Sequence, residues 1–452
     1  MLIKGKKILV MGIGITGISA MKMLMDYNNE LMVYDEKPRD EIAEILDSNG
    51  LDQVGIIQED SKFLIQDVDF VVKSPGIPPD HHMVEFAGEK DIPVISDIEL
   101  AFNIGIHGTV VGITGTNGKT TSTMLAGEIL KKAGIKTHLA GNMGTGILQV
   151  VDHLQDEDYL VLELSSFQLE HTYLFRPDVA LITNITEDHL DWHGSIENYM
   201  ASKFKIFANQ SADNYLVLNW DDINLRKLEK KLKPKVIWFS TVEDLEEGVF
   251  LRDGSIVYRM DGVEETVLSL DHIRIPGSHN VENICGVVGI MKALGIDSET
   301  IRDTVENFKG VEHRIEFVLE KDGIAYYNDS KGTNVQSSLK AVQAIGRPIV
   351  LIAGGYDKGA DYSDLMDELA NKSRALILMG ETAERISKAA QEKGISNIYI
   401  VDSMEEAVSK AVSAGMSGDA VLLSPACASW DMYKNFEERG KHFKRILVEM
   451  TE

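Results

Sequence analysis

Cysteine is nearly absent from this chain, with only Cys285 and Cys427 among 452 residues. Two cysteines are too few for a disulfide framework, and they lack the paired spacing of a zinc site. Both are therefore predicted to be small, buried apolar residues, and a reducing compartment is the expected location.

Long apolar runs are also missing. The longest run near the amino terminus, Ile8–Ile18, is interrupted by Gly12, Gly14 and Gly17 and is too short to cross a bilayer. It lacks a small-residue cleavage site, which excludes a signal peptide. We therefore expect a cytoplasmic protein with no membrane partner.

Positive charge is scarce, because 45 lysines and arginines accompany 71 aspartates and glutamates, for a formal net charge of −26. Such a protein repels DNA, RNA and anionic lipid unless its cations are segregated, so no nucleic-acid partner is expected. The remaining composition is that of a globular chain, with 44% hydrophobic and 26% charged residues. At about 150 residues per domain, the length predicts roughly three domains.

Three segments share one pattern, an apolar β-rich run that ends in a glycine turn: 7–17, 109–121 and 348–359. A helical pattern follows the first two directly. Strands that alternate with helices of about 10 to 15 residues predict parallel α/β units. We place a linker at 96–108 and boundaries near 98 and 310, which predicts three domains: 1–97, 98–310 and 311–452.

The first glycine turn has the pattern Gly12-x-Gly14-x-x-Gly17, and Asp35 ends the next predicted strand. Glycines allow a phosphate to approach the backbone, the helix start attracts negative charge, and the acid can accept ribose hydroxyls. The pattern predicts an anionic nucleotide-like ligand more firmly than it predicts NAD. Alternatively, the glycines only pack a helix against a strand.

The second glycine turn reads Gly-Thr-Asn-Gly-Lys-Thr-Thr over 115–121. Backbone N–H groups of such a loop bind phosphates, Lys119 neutralises the β- and γ-phosphate oxygens, and the Thr120 hydroxyl can bind Mg²⁺. Strict P-loop spacing requires a glycine at position 113, where this chain has Ile113. The loop is therefore a variant of that motif.

Other polar residues lie where strands are predicted to end. Glu163 ends the apolar strand 159–163 and is a natural second Mg²⁺ ligand, unless it forms a structural ion pair. Five titratable residues fall within 187–193, after another apolar strand, and this density favours metal or acid–base chemistry over an ordinary surface loop. Lys203, taken alone, is interpreted as a solvated helix lysine.

Two asparagines, Asn280 and Asn283, lie beside the apolar stripe of a later helical segment and can hydrogen-bond a ligand at its start. Asn280 can equally be an N-cap. The last third of the chain adds three loops of small residues that repeatedly carry lysines: 328–334, 354–359 and 423–436.

Together these motifs resemble the Mur ligase family, the ATP-dependent amide-forming enzymes of peptidoglycan synthesis, from Gly12 to about Phe443. Within the family, three stretches resemble the branch that adds D-glutamate to UDP-N-acetylmuramoyl-L-alanine: 164–169, 328–334, and 423–431 with 435–440. The Asp-Asn-Pro-Arg signature of the diaminopimelate- or lysine-adding branch is absent. Asn117 stands where the alanine-adding branch usually has histidine.

The resemblance implies an α/β protein with an amino-terminal Rossmann-like domain for the UDP-substrate and a central P-loop ATPase-type domain. A carboxyl-terminal Rossmann-like domain would bind the amino acid, complete the ATP site and close over it. The implied enzyme is a ligase that proceeds through an acyl phosphate and releases ADP and phosphate, in cell-wall biogenesis and hence cell shape and division. A monomer is expected.

The same resemblance assigns site residues position by position. The UDP-substrate is assigned to Thr16, Asp35 and Ser74, with Asn142 and His189 nearer the reacting end. ATP is assigned to Gly115, Thr116, Asn117, Gly118, Lys119, Thr120, Thr121, Asn280, Asn283, Arg314, Asp329 and Lys331. D-Glutamate is assigned to Thr333, Lys358, Ser429 and Phe436.

Two Mg²⁺ ions are implied, one at Thr120 and Glu163 and one at His189 and Lys203. In the family the lysine that matches Lys203 is carbamylated, which turns a cation into a carboxylate-like ligand. Carbamylation needs a neutral amine, so the site must lower the pKa of Lys203. The implied catalytic residues are therefore Lys119, Glu163, His189 and Lys203.

Three alternatives stay open. Another member of the family would add a different amino acid. A nicotinamide-dependent oxidoreductase accounts for Gly12–Gly17 and Asp35 but leaves the Lys119 loop and Glu163 unexplained. A non-catalytic regulator with the same fold would bind ATP without forming an amide.

Overall fold

The computed structural model describes residues 3–58, 67–229 and 232–451. Its strands form three separate sheets. The chain divides into two compact units, the first made of Met1–Leu268 and Glu282–Thr304 and the second of Ser269–Val281 and Val305–Glu452. The first unit contains two of the sheets, and the second unit contains the third.

The first sheet consists of β1 (Lys7–Met11), β2 (Glu30–Tyr34), β3 (Gly55–Ile57), β4 (Phe70–Lys73) and β5 (Val94–Ile95). All pairs are parallel, in the order β3-β2-β1-β4-β5, which is the strand order of a Rossmann fold. The accompanying helices are α1 (Ile15–Met25), α2 (Arg39–Ser48), α3 (His82–Glu89) and α4 (Asp97–Ile104).

The second sheet consists of β6 (Thr109–Thr114), β7 (Thr137–Gly141), β8 (Tyr159–Glu163), β9 (Val179–Ile182), β10 (Tyr215–Asn219), β11 (Lys235–Ser240), β12 (Gly248–Arg252), β13 (Ser255–Met260) and β14 (Val263–Ser269). Their order is β14-β13-β12-β11-β10-β9-β6-β8-β7. The pairs from β7 to β12 are parallel, and β13 pairs with β12 in the antiparallel sense. The helices are α5 (Lys119–Lys132), α6 (Ser166–Leu169), α7 (Leu190–His193), α8 (Ile196–Phe204), α9 (Ile223–Arg226), α10 (Ser278–Ala293) and α11 (Ser298–Asn307).

The third sheet consists of β15 (Glu316–Lys321), β16 (Ile324–Asn328), β17 (Ile349–Ala353), β18 (Ser373–Leu378), β19 (Ile398–Ile400) and β20 (Ala420–Leu423). In the order β15-β16-β20-β17-β18-β19, only the first pair is antiparallel. The helices are α12 (Val335–Ala344), α13 (Ser363–Ala370), α14 (Ala383–Glu392), α15 (Met404–Ala414) and α16 (Phe436–Thr451).

The central strands are buried on both faces, which explains why they appear in the sequence as continuous apolar runs. The prediction of an α/β fold built on parallel sheets is confirmed. Cys285 and Cys427 are both buried, as predicted. Among the described residues, no helix has both the length and the apolar character needed to span a bilayer.

The linker predicted at 96–108 is wrong, because α4 occupies most of it. The Ser96 hydroxyl caps this helix by accepting a hydrogen bond from the Glu99 N–H, and the Ser-x-x-Glu spacing is a helix-start signal. The Glu99 carboxylate also accepts hydrogen bonds from the backbone N–H groups of residues 173–175. The segment is therefore packed into the first unit.

One strand in each sheet marks the place where a ligand can bind. Strand β1 lies between β2 and β4, β6 between β8 and β9, and β17 between β18 and β20. From β1 and β17 the chain goes directly to one neighbour, and from β6 it reaches the neighbour β8 by way of β7. In each case the neighbour on the other side comes later in the chain. Loops at the carboxyl ends of such strands diverge and leave a crevice, where open α/β sheets bind their ligands.

Candidate functional site

The glycine turn after β1 lies against the residues that follow β2 and β4. The Asp35 carboxylate fastens the turn by accepting hydrogen bonds from the N–H groups of Ile13 (2.9 Å) and Lys37 (3.1 Å). Gly12 has a φ of +96°, and a Cβ there would lie 2.6 Å from the Ser74 hydroxyl oxygen. That hydroxyl is buried and has no hydrogen-bond partner among the described residues. The predicted set Thr16, Asp35 and Ser74 thus lies at the carboxyl ends of strands in the first sheet.

The second glycine turn joins β6 to α5. Gly118 precedes α5 with a left-handed φ of +84°, and a Cβ there would collide with the side-chain oxygen of Asn283. Asn283 therefore packs directly on the turn, as its predicted role requires. The Lys119 ammonium donates to the carbonyl oxygens of Gly115 (3.0 Å) and Thr116 (2.8 Å). The N–H groups that begin α5, at Thr120 and Thr121, suit an anion.

Glu163 ends β8 beside this turn, since its Cα pairs with that of Ile113 in β6. The side chain is buried, and its Oε1 accepts a hydrogen bond from the Asn142 amide at 2.9 Å. Its Oε2 has no hydrogen-bond partner among the described residues. A buried carboxylate oxygen is costly without a donor or a cation, so Glu163 suits a metal ion.

Lys203 lies on α8 and is only 1% exposed, so its interpretation as a solvated lysine is wrong. Its ammonium donates to the Gly115 carbonyl at 2.7 Å and lies 4.7 Å from the centroid of the Tyr199 ring. Burial, and secondarily the charge of Lys119, lowers the pKa of Lys203 well below its usual range. The Tyr199 hydroxyl lies 3.0 Å from the Thr116 hydroxyl, and burial raises the pKa of Tyr199 to about 12.

His189 is exposed, precedes α7 and has a left-handed φ of +51°. Its ring centroid lies 4.9 Å from that of Phe167, and its Nε2 lies 3.6 Å from a carboxylate oxygen of Asp188. Over 3–58, 67–229 and 232–451, no three His, Cys, Asp or Glu side chains form a group that could hold a metal. Of the residues predicted for the two Mg²⁺ sites, only Glu163 and His189 are of these types.

Asp329 follows β16 in the second unit and is 4% exposed. It accepts hydrogen bonds from the Ser424 hydroxyl at 2.6 Å and the Ile315 N–H at 3.2 Å. Burial raises the pKa of Asp329 to about 7, although the charge of Arg314 acts in the opposite direction. The exposed Lys331 follows, with its ammonium 5.9 Å from the Phe436 ring centroid.

Arg439 was not among the predicted residues, yet it joins the loops after β16 and β20. It is 3% exposed, and its guanidinium donates to the hydroxyl and the carbonyl of Ser330 at 3.0 and 2.9 Å. It also donates to the carbonyls of Cys427 (3.2 Å) and Ala428 (3.3 Å). Burial lowers its pKa to about 10. Arg439 thereby holds the loop that carries the buried Ser429.

The predicted amino-acid residues lie on three loops of the same unit. Lys358, in the loop after β17, is exposed, and its ammonium lies 4.7 Å from the centroid of the Trp430 ring. Trp430 directly follows Ser429, whereas Thr333 is half-buried just before α12. Asn280 lies inside α10 and donates to the Pro276 carbonyl at 2.6 Å, so it is not an N-cap.

Two residues missed by sequence reasoning carried partial signals. Arg439 interrupts the apolar stripe that Phe436 and Phe443 form on α16, and a charge inside such a stripe indicates a buried role. Tyr199 shares one face of α8 with Lys203, four residues later. Nothing local indicates their distant partners, Ser330 for Arg439 and Thr116 for Tyr199.

Models of three known domains match the chain. They are a Mur ligase MurD-like N-terminal domain over residues 6–96, a Mur ligase middle domain over 113–291, and the glutamate ligase domain of Mur ligases over 313–427. The chain belongs to the Mur ligase family. The predicted three-domain α/β architecture is therefore confirmed as a Mur ligase fold, which argues against the oxidoreductase alternative.

Individual Mur ligases are similar over nearly the whole chain. The UDP-N-acetylmuramoylalanine--D-glutamate ligase of Thermoanaerobacter sp. (strain X514) is 43% identical over 456 residues, which cover 99% of each chain. The enzyme of the same name from Clostridioides difficile (strain 630) is 43% identical over 98% of each chain. A crystal structure of MurC, the UDP-N-acetylmuramate-alanine ligase of Thermotoga maritima, has the same fold, with a TM-score of 0.54 at 19% identity over 98% of this chain and 99% of its own.

The raised pKa of Asp329 predicts a pH-dependent stability. Folded Asp329 has a pKa of about 7, whereas the ordinary value is 3.8, so the folded state holds the proton more tightly. This stabilisation is complete below about pH 4 and is lost as the pH rises through 7. The Asp329→Asn variant has a neutral amide at every pH and therefore lacks this loss. The free energy of unfolding of the variant minus that of the unaltered protein should rise by about 2–3 kcal/mol between pH 5 and pH 8.

Urea denaturation of the ligand-free protein at several pH values measures this difference. The matched control is Asp402→Asn, which makes the same substitution at an exposed aspartate of the same unit and is measured at the same pH values. Parallel stability profiles for Asp329→Asn and the unaltered protein would contradict the prediction.

Proposed function

We propose that this Mur ligase adds D-glutamate to UDP-N-acetylmuramoyl-L-alanine in peptidoglycan synthesis, with conversion of ATP to ADP and phosphate. The observation that carries the proposal is the 43% identity, over nearly the full length of both chains, to ligases named for that reaction. The buried Glu163 and Lys203 around the Lys119 turn support it, because phosphoryl transfer needs such a cluster. A cytoplasmic monomer is part of the proposal.

The proposed domains are 1–97 for the UDP-substrate, 98–310 for ATP, and 311–452 for the amino acid and part of the ATP site. The three matched family domains, at 6–96, 113–291 and 313–427, fall inside these boundaries. For each ligand we propose the binding residues that the resemblance to the Mur ligase family assigns to it. In the first sheet, the unpartnered Ser74 hydroxyl beside the glycine turn supports the UDP-substrate assignment.

The first chemical step transfers the γ-phosphoryl group of ATP to the alanyl carboxylate and forms an acyl phosphate. In this step the Lys119 ammonium exchanges the carbonyls of Gly115 and Thr116 for phosphate oxygens, and the N–H groups that begin α5 bind the same anion. The amine of D-glutamate then attacks the acyl carbon. A C–N bond forms, phosphate leaves, and the amine loses a proton.

We further propose one Mg²⁺ at Thr120 and Glu163 and a second at His189 and Lys203. Bound Mg²⁺ would neutralise negative charge on the transferring phosphoryl group. The unpartnered Oε2 of Glu163 fits the first site. For the second, burial favours the neutral amine of Lys203, which can add to carbon dioxide with loss of a proton to give a carbamate.

Release of ADP by the purified enzyme tests the proposed function directly. We expect release only when ATP, UDP-N-acetylmuramoyl-L-alanine and D-glutamate are all present. L-Glutamate, L-alanine, L-lysine and meso-diaminopimelate replace D-glutamate in parallel reactions. Preference for one of them would indicate another branch of the family, and ATP binding without any substrate-dependent ADP release would indicate a regulator.

Lys119→Ala should lower turnover by at least about 100-fold, because the variant lacks the charge that stabilises the transferring phosphoryl group. Binding of the UDP-substrate, measured by calorimetry, should change by less than about twofold, because that ligand is assigned to the first sheet. Lys132→Ala, at an exposed position on the same helix, is the matched control and should keep full activity. Equal loss of turnover and UDP-substrate binding in Lys119→Ala would refute this division.

Lys203→Ala should be inactive but partly restored by formate, acetate or propionate, because a small carboxylate can take the place of the carbamate. Lys203→Arg should stay inactive with these anions, since its side chain fills the space and cannot be carbamylated. Lys119→Ala, assayed with the same anions, controls for a general effect of carboxylates. Absence of rescue, together with absence of a carbon dioxide adduct by ¹³C NMR, would argue against the carbamate.

A further inference from the structure

Trp430 is a large aromatic residue whose position is set by two neighbours rather than by the core. Trp430 is 62% exposed, although Ser429 before it is 2% exposed. The Tyr356 ring centroid lies 5.6 Å from that of Trp430, at an interplanar angle of 54°. The Lys358 ammonium lies 4.7 Å from the Trp430 centroid, within the range of a cation–π contact.

The two loops that carry these side chains are joined at the backbone. The Tyr356 N–H donates to the Ala428 carbonyl at 3.0 Å, which forms an isolated β-bridge. Two residues earlier, the Gly354 N–H donates to the Pro425 carbonyl at 2.9 Å. The loop after β17 is therefore fixed against the loop after β20, and the pairing of Lys358 with Trp430 follows from that.

The charge of Lys358 is not cancelled by a carboxylate. In the described parts of the chain, no carboxylate oxygen lies within 4.0 Å of its ammonium. The neighbouring Asp357 is already occupied, because it accepts hydrogen bonds from the Gly359 N–H at 2.7 Å and from the Arg385 guanidinium at 2.9 and 3.1 Å. The indole ring thus holds a cation whose charge stays available to a ligand.

We propose that Trp430 is a positioning residue of the amino-acid site, whose indole face holds the Lys358 ammonium in place for a carboxylate of the incoming dicarboxylic amino acid. The inference rests on the proposed function, in which Lys358 binds D-glutamate. A protein carboxylate in the place of the ring would have to be displaced by the substrate. Without the ring, the flexible Lys358 side chain would be ordered only when the amino acid binds, which weakens binding.

Steady-state kinetics with varied D-glutamate, at saturating ATP and UDP-substrate, test this role. Trp430→Leu keeps apolar bulk but removes the aromatic face. Its KM for D-glutamate should rise about 5- to 30-fold, which corresponds to about 1–2 kcal/mol at about 1.4 kcal/mol per factor of ten. Its kcat and its KM for ATP should stay within about twofold, because the proposed role of the ring is confined to Lys358.

Two variants control for the aromatic face and for exposure. Trp430→Phe retains a ring and should stay within about threefold of the unaltered KM. Met416→Ala removes an apolar side chain that is 60% exposed in the same unit, and it should change no kinetic constant. Thermal melting checks that each variant is folded, and Trp430→Met replaces Trp430→Leu if the latter does not fold.

A double-mutant comparison separates action through Lys358 from a general effect. In the Lys358→Ala background, Trp430→Leu should add no further rise in KM. A folded Trp430→Leu enzyme with an unchanged KM, a fall in kcat at constant KM, or an equal rise in both backgrounds would overturn the inference. Failure of the proposed function is distinguishable, because the unaltered enzyme would then release no ADP in response to D-glutamate.

Discussion

The proposed ligand sites depend on lysines that lie over aromatic rings and form no ion pair with a carboxylate in the part of the chain that the structure describes. Their proposed ligands are all anions, whereas the chain has a net charge of −26, so binding depends on where individual cations are placed. In the described structure, three lysines of the proposed site lie over aromatic rings and form no ion pair within 4.0 Å: Lys203 over Tyr199, Lys331 over Phe436 and Lys358 over Trp430. A ring orients a cation without cancelling its charge. Elsewhere many lysines have carboxylate partners, as Lys444 has Glu312 and Glu316.

Burial divides these lysines into two kinds. Lys203 is enclosed between α8 and the Gly115 turn, and desolvation lowers its pKa, which favours the neutral amine that a carbamate requires. Lys331 and Lys358 are exposed, so a ligand can replace the water around their ammonium groups. Under the proposed function, the lysine–ring contact therefore accompanies carbamylation at Lys203 and reversible ligand binding at Lys331 and Lys358.

The sheets determine where these side chains can meet a ligand. Each sheet has one strand whose two neighbours are reached at different points along the chain. These strands are β1, β6 and β17, and each of the three glycine turns follows one of them. Residues at the ends of neighbouring strands then face the turn, as Glu163 of β8 does beside β6. The phosphate loop and its acidic neighbour could be predicted from sequence because both lie at strand ends, which the apolar runs mark clearly. The helix α4 was missed, although Ser96 and Glu99 carry its start signal.

The sequence by itself determined the parallel α/β class, the three glycine turns, the buried strands, and, through family resemblance, the residues of the proposed site. These features are encoded over short stretches, where glycine, apolar periodicity and strand length act locally. Only the tertiary structure decided that Lys203 is buried and that Arg439 joins two loops. Lys203 contacts a residue 88 positions away, and Arg439 contacts one 109 positions away. Desolvation depends on every chain segment that surrounds a side chain, so the charge state and the partners of such residues arise only when the sheets are assembled.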